Sequence, residues 1–147
     1  MTTTFTNARL IDPETGSDSL GSLTIENGVI TARDAAPTGE IIDCQGQYLA
    51  PGIIDIGVKI GEPGERHKES FRTAGAAAAA GGVTTMVTRP DTSPPIDTPE
   101  MLEFFRTRAA ALCCVNVLPM AALTKARAGV EMTELGFLAD AGAVAFS

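Results

Sequence analysis

An aspartate and a lysine, Asp55 and Lys59, interrupt the apolar run IIDIGVKI at residues 53–60. Side chains alternate between the two faces of a β-strand, so residues 53–61 are predicted to divide into two sets, one on each face. The polar face is predicted to carry Asp55, Gly57, Lys59 and Gly61. The apolar face is predicted to carry Ile54, Ile56, Val58 and Ile60. A lysine buried on such a face needs a carboxylate partner, whereas a lysine at an exposed strand end extends its ammonium into water. Both alternatives remain open for Lys59.

Few other residues offer recognisable chemistry. His67 is the only histidine, and its place near the start of a predicted helix indicates a solvated side chain. The three cysteines, Cys44, Cys113 and Cys114, show no C-x-x-C spacing, so a thiolate zinc site is not expected. Cys113 and Cys114 are adjacent and cannot readily form a disulfide with each other in regular structure. All three are predicted to be reduced and mostly buried.

The composition excludes several classes of function. The 147 residues have room for one ordinary domain or for a piece of a larger one. A net charge of −7 and the lack of Lys/Arg clusters argue against a nucleic-acid or anionic-membrane surface. No apolar run is long enough to cross a bilayer, and the start, MTTTFTNARLID, does not resemble a signal peptide. The sequence therefore predicts a cytoplasmic protein.

Residues 1–50 are predicted to form a small β domain. Two strand-like runs flank Asn27-Gly28, a strong hairpin signal because both residues tolerate positive φ. The segment EIIDCQGQYLAPG adds one or two further strands before Pro51-Gly52 ends the pattern.

Residues 51–147 are predicted to alternate between strands and helices. Strands are predicted in IIDIGVKI, VTTMVTRP, CCVNVLP and AVAFS. Helices are predicted in ERHKESFRTAGAAAAAGG, TPEMLEFFRTRAAAL and EMTELGFLADAG. Gly81-Gly82 is predicted to close the first helix, and Thr98 with Pro99 to open the second. This alternation indicates an α/β fold with a parallel sheet.

Two parallel architectures fit this order. One is an open four-stranded sheet, and the other is part of a (β/α)8 barrel, which needs about 250 residues. AGAAAAAGG ends a helix rather than following a strand, so it is not a phosphate loop, and its small residues are predicted to allow close helix packing. In a barrel, the apolar face of the first strand would contact the outer helices. Lys59 would then lie near the carboxyl-terminal mouth, where barrel active sites occur.

The stretch from residue 49 to residue 100 resembles the dihydroorotases of the cyclic amidohydrolase family. That family reads P-G-x-I-D-x-H-x-H-x-R-E-P-G, then K-E, a run of small residues, G-G-x-T-T, and M-P-N-T followed by P-x-x-D. The matching residues here are Pro51, Gly52, Asp55, Glu62, Pro63, Gly64, Lys68, Glu69, Gly81, Gly82, Thr84, Thr85, Pro90, Thr92 and Asp97. The resemblance implies a small β domain followed by the first units of a TIM-like metal-dependent hydrolase barrel, reaching the fourth strand at residue 147.

This sequence departs from the family pattern at the positions that carry the chemistry. Gly57 and Lys59 correspond to the two histidines that bind metal. Gly61 corresponds to the arginine that holds the substrate carboxylate, and Asp91 to the asparagine that also contacts substrate. Arg89 replaces the preceding methionine. Glycine has no ligating side chain and a lysine ammonium has no lone pair, so no metal cofactor is expected, although the family uses zinc.

Three functions are possible, of which the resemblance implies the first two. The first is a catalytically inactive dihydroorotase homologue, because some family members that lack metal ligands serve as structural partners of aspartate transcarbamoylase in pyrimidine synthesis. The second is an active dihydroorotase-, hydantoinase- or allantoinase-like hydrolase whose metal site is rebuilt from later strands. The third is a standalone binding protein with an open sheet. A homo- or hetero-oligomer is expected.

In the first case, Lys59 is predicted to fill part of the vacated metal site as a fixed cation. Its expected partners are Asp55 or carboxylates of later strands. Asp91, Arg89 and Lys59 are predicted to surround the pocket mouth, since they follow the first two barrel strands.

Overall fold

Five strands build the first of two units in the structure, a computed structural model that describes residues 1–147. This unit spans Met1–Pro51. Its strands are β1 (Thr2–Asp12), β2 (Ser17–Glu26), β3 (Val29–Arg33), β4 (Glu40–Asp43) and β5 (Tyr48–Leu49). They form one mixed sheet in the order β3-β2-β1-β4, with β5 also paired to β1. The β2–β3 hairpin turns at Asn27 and Gly28, whose φ values of 51° and 81° confirm the predicted turn.

The second unit, Gly52–Ser147, alternates strands and helices. Its strands are β6 (Ile53–Val58), β7 (Val83–Thr88), β8 (Asn116–Ala121) and β9 (Ala145–Phe146). Its helices are α1 (Phe71–Ala80), α2 (Pro99–Leu112) and α3 (Leu135–Asp140), with a 3-10 turn at Lys125–Arg127. The strands pair in parallel in the order β6-β7-β8-β9, which confirms the predicted parallel sheet.

The helices pack against the sheet of the second unit through a continuous apolar core. Phe71 of α1 and Phe105 of α2 are fully buried, and their rings meet edge to face with centroids 4.8 Å apart. The other large buried side chains of this core are Ile60, Met86, Ile96, Leu102 and Leu138. Burial of each such side chain stabilises the fold by about 1.5–3 kcal/mol.

None of the helices combines the length and apolar character needed to cross a membrane.

Local signals set the helix ends. The Thr98 side chain accepts a hydrogen bond from Met101 N at 3.3 Å, and Pro99 is the first helical residue, as predicted for α2. Gly81 N donates to Ala77 O at the end of α1, and Gly82 follows with a φ of 79°. The predicted close packing of α1 is also found, because a Cβ on Gly75 would lie 2.6 Å from Cys113 Sγ.

The prediction that α1 begins at Glu65 is wrong. Ser70 caps the helix, since its side chain accepts from Thr73 N at 3.3 Å while Ser70 N donates to Thr73 Oγ1 at 2.9 Å. The preceding residues form tight turns instead, with Glu65 N donating to Gly61 O at 2.6 Å. α3 is likewise shorter than the predicted segment 131–142.

A β-bulge at Gly57 overturns the predicted division of β6 into two faces. Ile56 pairs with Val87 and Val58 pairs with Thr88, so Gly57 has no partner on β7. Gly57 also has a φ of 95°. An extra unpaired residue reverses the alternation of the side chains that follow it.

The side chains of β6 therefore change face at the bulge. Ile54 and Ile56 are exposed, at 61% and 72%, whereas Val58 and Ile60 pack into the core. Asp55 lies beside Val58 in a cleft that Ala74 and Ala77 of α1 also line. The prediction that Ile54, Ile56, Val58 and Ile60 share one face is therefore wrong.

Candidate functional site

The carboxyl ends of β6 and β7 place three charged residues side by side. Lys59 directly follows β6, while Arg89 and Asp91 follow β7. Because these parallel strands are neighbours, their ends meet at the same edge of the sheet. Arg89 N donates to Val58 O at 2.8 Å, which ties the two strand ends together.

Lys59 lies between two carboxylates. Its Nζ is 3.6 Å from Asp91 Oδ2 and 3.6 Å from Glu65 Oε2. The Lys59 side chain is 52% exposed, whereas that of Asp91 is only 10% exposed. The ammonium therefore covers a buried carboxylate on one side and remains in contact with water on the other.

Two further cations extend this arrangement. Arg89 Nη2 lies 3.4 Å from Asp91 Oδ2, and Lys68 forms an ion pair with Glu65. The hydrogen bond and positive charge of Lys68, together with the charge of Lys59, lower the pKa of Glu65. We call these five side chains the charge cluster: Lys59, Glu65, Lys68, Arg89 and Asp91. Charges alternate along it, and three cations face two carboxylates.

The two oxygens of the Asp91 carboxylate have different surroundings. Oδ2 faces both Lys59 and Arg89, whereas Oδ1 is buried and has no hydrogen-bond partner. A buried carboxylate oxygen without a donor is costly, so the carboxylate depends on the two cations beside Oδ2.

Asp55 does not join the charge cluster. The bulge at Gly57 places it on the α1 side of β6, and it forms no ion pair. The expected pairing of Lys59 with Asp55 is therefore wrong. Glu65, in the turn after β6, takes the place that had been expected for Asp55.

Gly57 and Gly61, the two glycines at positions that depart from the family pattern, differ in their surroundings. A Cβ on Gly57 would meet open space, but the φ of 95° is one that residues with a side chain rarely adopt. A Cβ on Gly61 would lie 2.6 Å from Glu65 O and 3.0 Å from Glu69 O. The backbone of the turn after β6 therefore packs against Gly61 and leaves no room for a side chain there.

The residues of this chain do not fit a metal ion at these strand ends. Gly57 offers no ligand, and the Lys59 ammonium already faces two carboxylates. His67 is exposed in the turn before α1, as predicted. No group of three His, Cys, Asp or Glu side chains converges anywhere in the chain.

A buried carboxylate fixes the turn that carries Glu65. Glu62 Oε2 accepts a hydrogen bond from Phe71 N at 3.2 Å, and Glu62 forms an ion pair with Arg108 of α2. Burial alone would raise the pKa of Glu62. The hydrogen bonds from Arg108 and Phe71 N, with the charges of Arg108 and Arg66, outweigh burial and lower it.

Sequence reasoning missed the roles of Glu65 and Arg108. Glu65 lies three residues before Lys68, a spacing that suggests an ion pair within a turn or helix, but its contact with Lys59 depends on the fold of the turn. Arg108 lies 46 residues from Glu62, and no local pattern connects them.

Comparisons with known proteins agree on one family. A family model described as "Dihydro-orotase-like" matches residues 46–147. Dihydroorotase of Wolbachia sp. subsp. Drosophila simulans (strain wRi) is 43% identical over 148 residues, which cover 97% of this chain and 33% of that protein. Dihydroorotase of Deinococcus radiodurans is 41% identical over 147 residues, covering 100% of this chain and 34% of that protein. A "Dihydroorotase-like protein" of Pseudomonas putida is 41% identical, covering 99% and 35%.

Solved structures confirm the predicted fold. L-hydantoinase (dihydropyrimidinase) from Arthrobacter aurescens superposes with a TM-score of 0.86 at 23% identity, covering 98% of this chain and 32% of that one. A dihydroorotase crystal structure gives a TM-score of 0.64 at 16% identity, covering 99% and 41%. The chain spans about a third of the length of the curated relatives it matches. The prediction of a small β domain followed by part of an amidohydrolase barrel is confirmed.

Proposed function

Because this chain belongs to the dihydroorotase-like family, we propose that it is part of a catalytically inactive dihydroorotase homologue. In this proposal the protein serves pyrimidine biosynthesis as a structural partner of aspartate transcarbamoylase. The observation that carries the proposal is the position of Lys59 between Glu65 and Asp91, where the family pattern has a metal-binding histidine.

The charge cluster replaces the positive charge of a metal without its chemistry. Hydrolysis of a cyclic amide in this family requires a metal that polarises the carbonyl and generates hydroxide. An ammonium offers charge and hydrogen-bond donors, but no vacant coordination position for a carbonyl oxygen or a water. Lys59 thus supports the two strand ends electrostatically, and its ammonium cannot activate water as a metal does.

The positions that should contact the substrate support the same proposal. Asp91 brings a negative charge to a position where the family has an asparagine that contacts an anionic substrate. Gly61 stands where the family has an arginine, and the backbone carbonyls of Glu65 and Glu69 occupy the space that its side chain needs. Both changes weaken the recognition of a substrate carboxylate.

The alternative is an active cyclic-amide hydrolase with an altered metal site. One fact supports it: this chain matches about a third of the length of its relatives, and the unmatched two thirds of those proteins have room for further metal ligands. Such a site would have to work without the side chains at positions 57 and 59.

The test uses the full-length protein, analysed for bound metal and assayed for dihydroorotate hydrolysis with and without added zinc. A catalytically active dihydroorotase prepared in parallel serves as the control. We expect no stoichiometric metal and no turnover. About one metal per chain with measurable turnover would instead establish the alternative. Co-elution with aspartate transcarbamoylase of the same organism in size-exclusion chromatography tests the partnership, and separate elution at micromolar concentrations would refute it.

A further inference from the structure

Two adjacent thiols lie where α2 ends, away from the charge cluster. Cys113 follows Leu112, the last residue of α2, and Val115 separates Cys114 from β8. Both cysteines are free, Cys113 being half-buried and Cys114 exposed. The family resemblance assigns no role to either of them.

Both sulfur atoms lie close to Gly75 of α1. A Cβ built on Gly75 would lie 2.6 Å from Cys113 Sγ and 3.4 Å from Cys114 Sγ. The sulfurs are therefore no farther apart than the sum of these two distances. Neighbouring side chains of an extended chain normally point to opposite sides. The bend at Cys114 brings both thiols to the same side instead.

Disulfide formation does not readily consume this pair. The peptide bond between Cys113 and Cys114 is trans, so their Cα atoms are about 3.8 Å apart. An unstrained disulfide requires a Cα separation of about 4.4–6.8 Å. The pair is thus available as two reduced sulfur donors.

Cys114 is exposed, and both cysteines border a cleft. Both cysteines line an open cavity of about 770 Å³, together with Arg106, Thr107 and Asn116. Glu103 also lines this cavity, but no cysteine, histidine or carboxylate completes a group of three with the two thiols. A structural zinc ion, which takes four protein ligands, does not match this arrangement. A ligand that is satisfied by two soft sulfur atoms does match.

We propose that Cys113 and Cys114 form a two-thiol site for soft, thiophilic ligands, of which a monosubstituted trivalent arsenical is the type. With an arsenic(III) oxide, R–As=O, two As–S bonds form and the As=O bond breaks. The two thiol protons leave with the oxygen as water. Arsenic remains trivalent and neither sulfur is oxidised, so no further reactant is needed.

The experiment treats the reduced full-length protein with phenylarsine oxide and measures the intact mass before and after an excess of glutathione. We expect one adduct, formed with loss of one water, that digestion locates to residues 113–114. The adduct should resist glutathione and be released by dithiothreitol, because two linked bonds hold a ligand about 100-fold or more tightly than one.

Three variants complete the test. Cys114→Ser changes an exposed residue and should lower affinity for the arsenical about 100-fold, and Cys113→Ser should do the same if circular dichroism shows it folded. Cys44→Ser is the matched control and should leave the adduct unchanged. A glutathione-resistant adduct that persists in Cys114→Ser, or that maps to Cys44, would overturn the proposal, as would the absence of any resistant adduct.

Discussion

Glu62, in the turn after β6, forms an ion pair with Arg108 of α2, and the Glu62 side chain is only 6% exposed. The same carboxylate also accepts a hydrogen bond from Phe71 N at the start of α1. One side chain therefore links the turn that carries Glu65 to both neighbouring helices.

Removal of Arg108 should be far more costly than removal of the second arginine near Glu62. Arg108→Ala leaves a buried carboxylate without its main partner and should lower the free energy of unfolding by about 3 kcal/mol. Arg66 is 68% exposed and lies 3.8 Å from Glu62, so Arg66→Ala should cost less than about 1 kcal/mol. Urea denaturation of both variants provides the comparison. Equal losses would show that the buried pair has no special weight.

The contribution of Glu62 should disappear in acid. Its pKa in the folded state lies below the ordinary value of about 4.3, so folding favours the ionised form. The stabilisation is fully present above that ordinary value and is lost as the pH falls through the lower folded-state pKa. The difference in unfolding free energy between wild type and Glu62→Gln should therefore be constant from about pH 7 to pH 5 and shrink below about pH 4. A difference that stays constant down to pH 2 would contradict this account.

Gly61 should tolerate no side chain. The Cβ of Gly61→Ala would approach the backbone oxygens of Glu65 and Glu69, so the variant should lose about 1–3 kcal/mol of stability. Gly136 in α3 is a matched control, because a Cβ there meets nothing within 4 Å. Gly136→Ala should be neutral, or stabilising by up to about 1 kcal/mol. Thermal melts of the two variants distinguish a local clash from a general sensitivity to added methyl groups.

Lys59 should matter for stability more than the neighbouring Lys68. Lys59→Met leaves Asp91, already lacking a donor at Oδ1, with Arg89 alone, and a loss of about 1–2 kcal/mol is expected. Lys68 is 60% exposed and faces only Glu65, so Lys68→Met should cost under about 1 kcal/mol. Chemical denaturation at low and high salt measures both, and a Lys59 effect no larger than that of Lys68 would argue against the proposed electrostatic role.

Reintroduction of the family histidine at position 57 should strain the backbone. Gly57→His must either keep a φ of 95° at a cost of about 1–2 kcal/mol or remove the bulge. We therefore expect Gly57→His with Lys59→His to be less stable than Lys59→His alone, and to gain no tightly bound zinc. Equilibrium dialysis with zinc and denaturation curves test both statements. Tight zinc binding in the double variant would show that the strand end readily returns to a metal site.

Features that depend on neighbouring residues could be predicted from the sequence. The cap at Thr98 and the turn at Asn27-Gly28 follow from side-chain chemistry within three residues, and both were confirmed. The alternation of strands and helices could also be predicted. The partners of Lys59 could not be predicted, because the contact with Glu65 depends on how the turn folds. The bulge at Gly57 was missed since a glycine in an apolar run does not reveal its own φ.

The bulge has a further consequence for how this sequence is aligned and engineered. Side chains of β6 alternate between the two faces every second residue, and the extra residue Gly57 shifts this alternation by one residue. As a result, Ile54 and Ile56 lie on one face of the sheet, whereas Val58 and Ile60 lie on the other. Regular pairing of Gly57 would exchange inside for outside in every residue on one side of it. Deletion of Gly57 would instead make Ile56 and Val58 consecutive opposite Val87 and Thr88, and each would keep its present face.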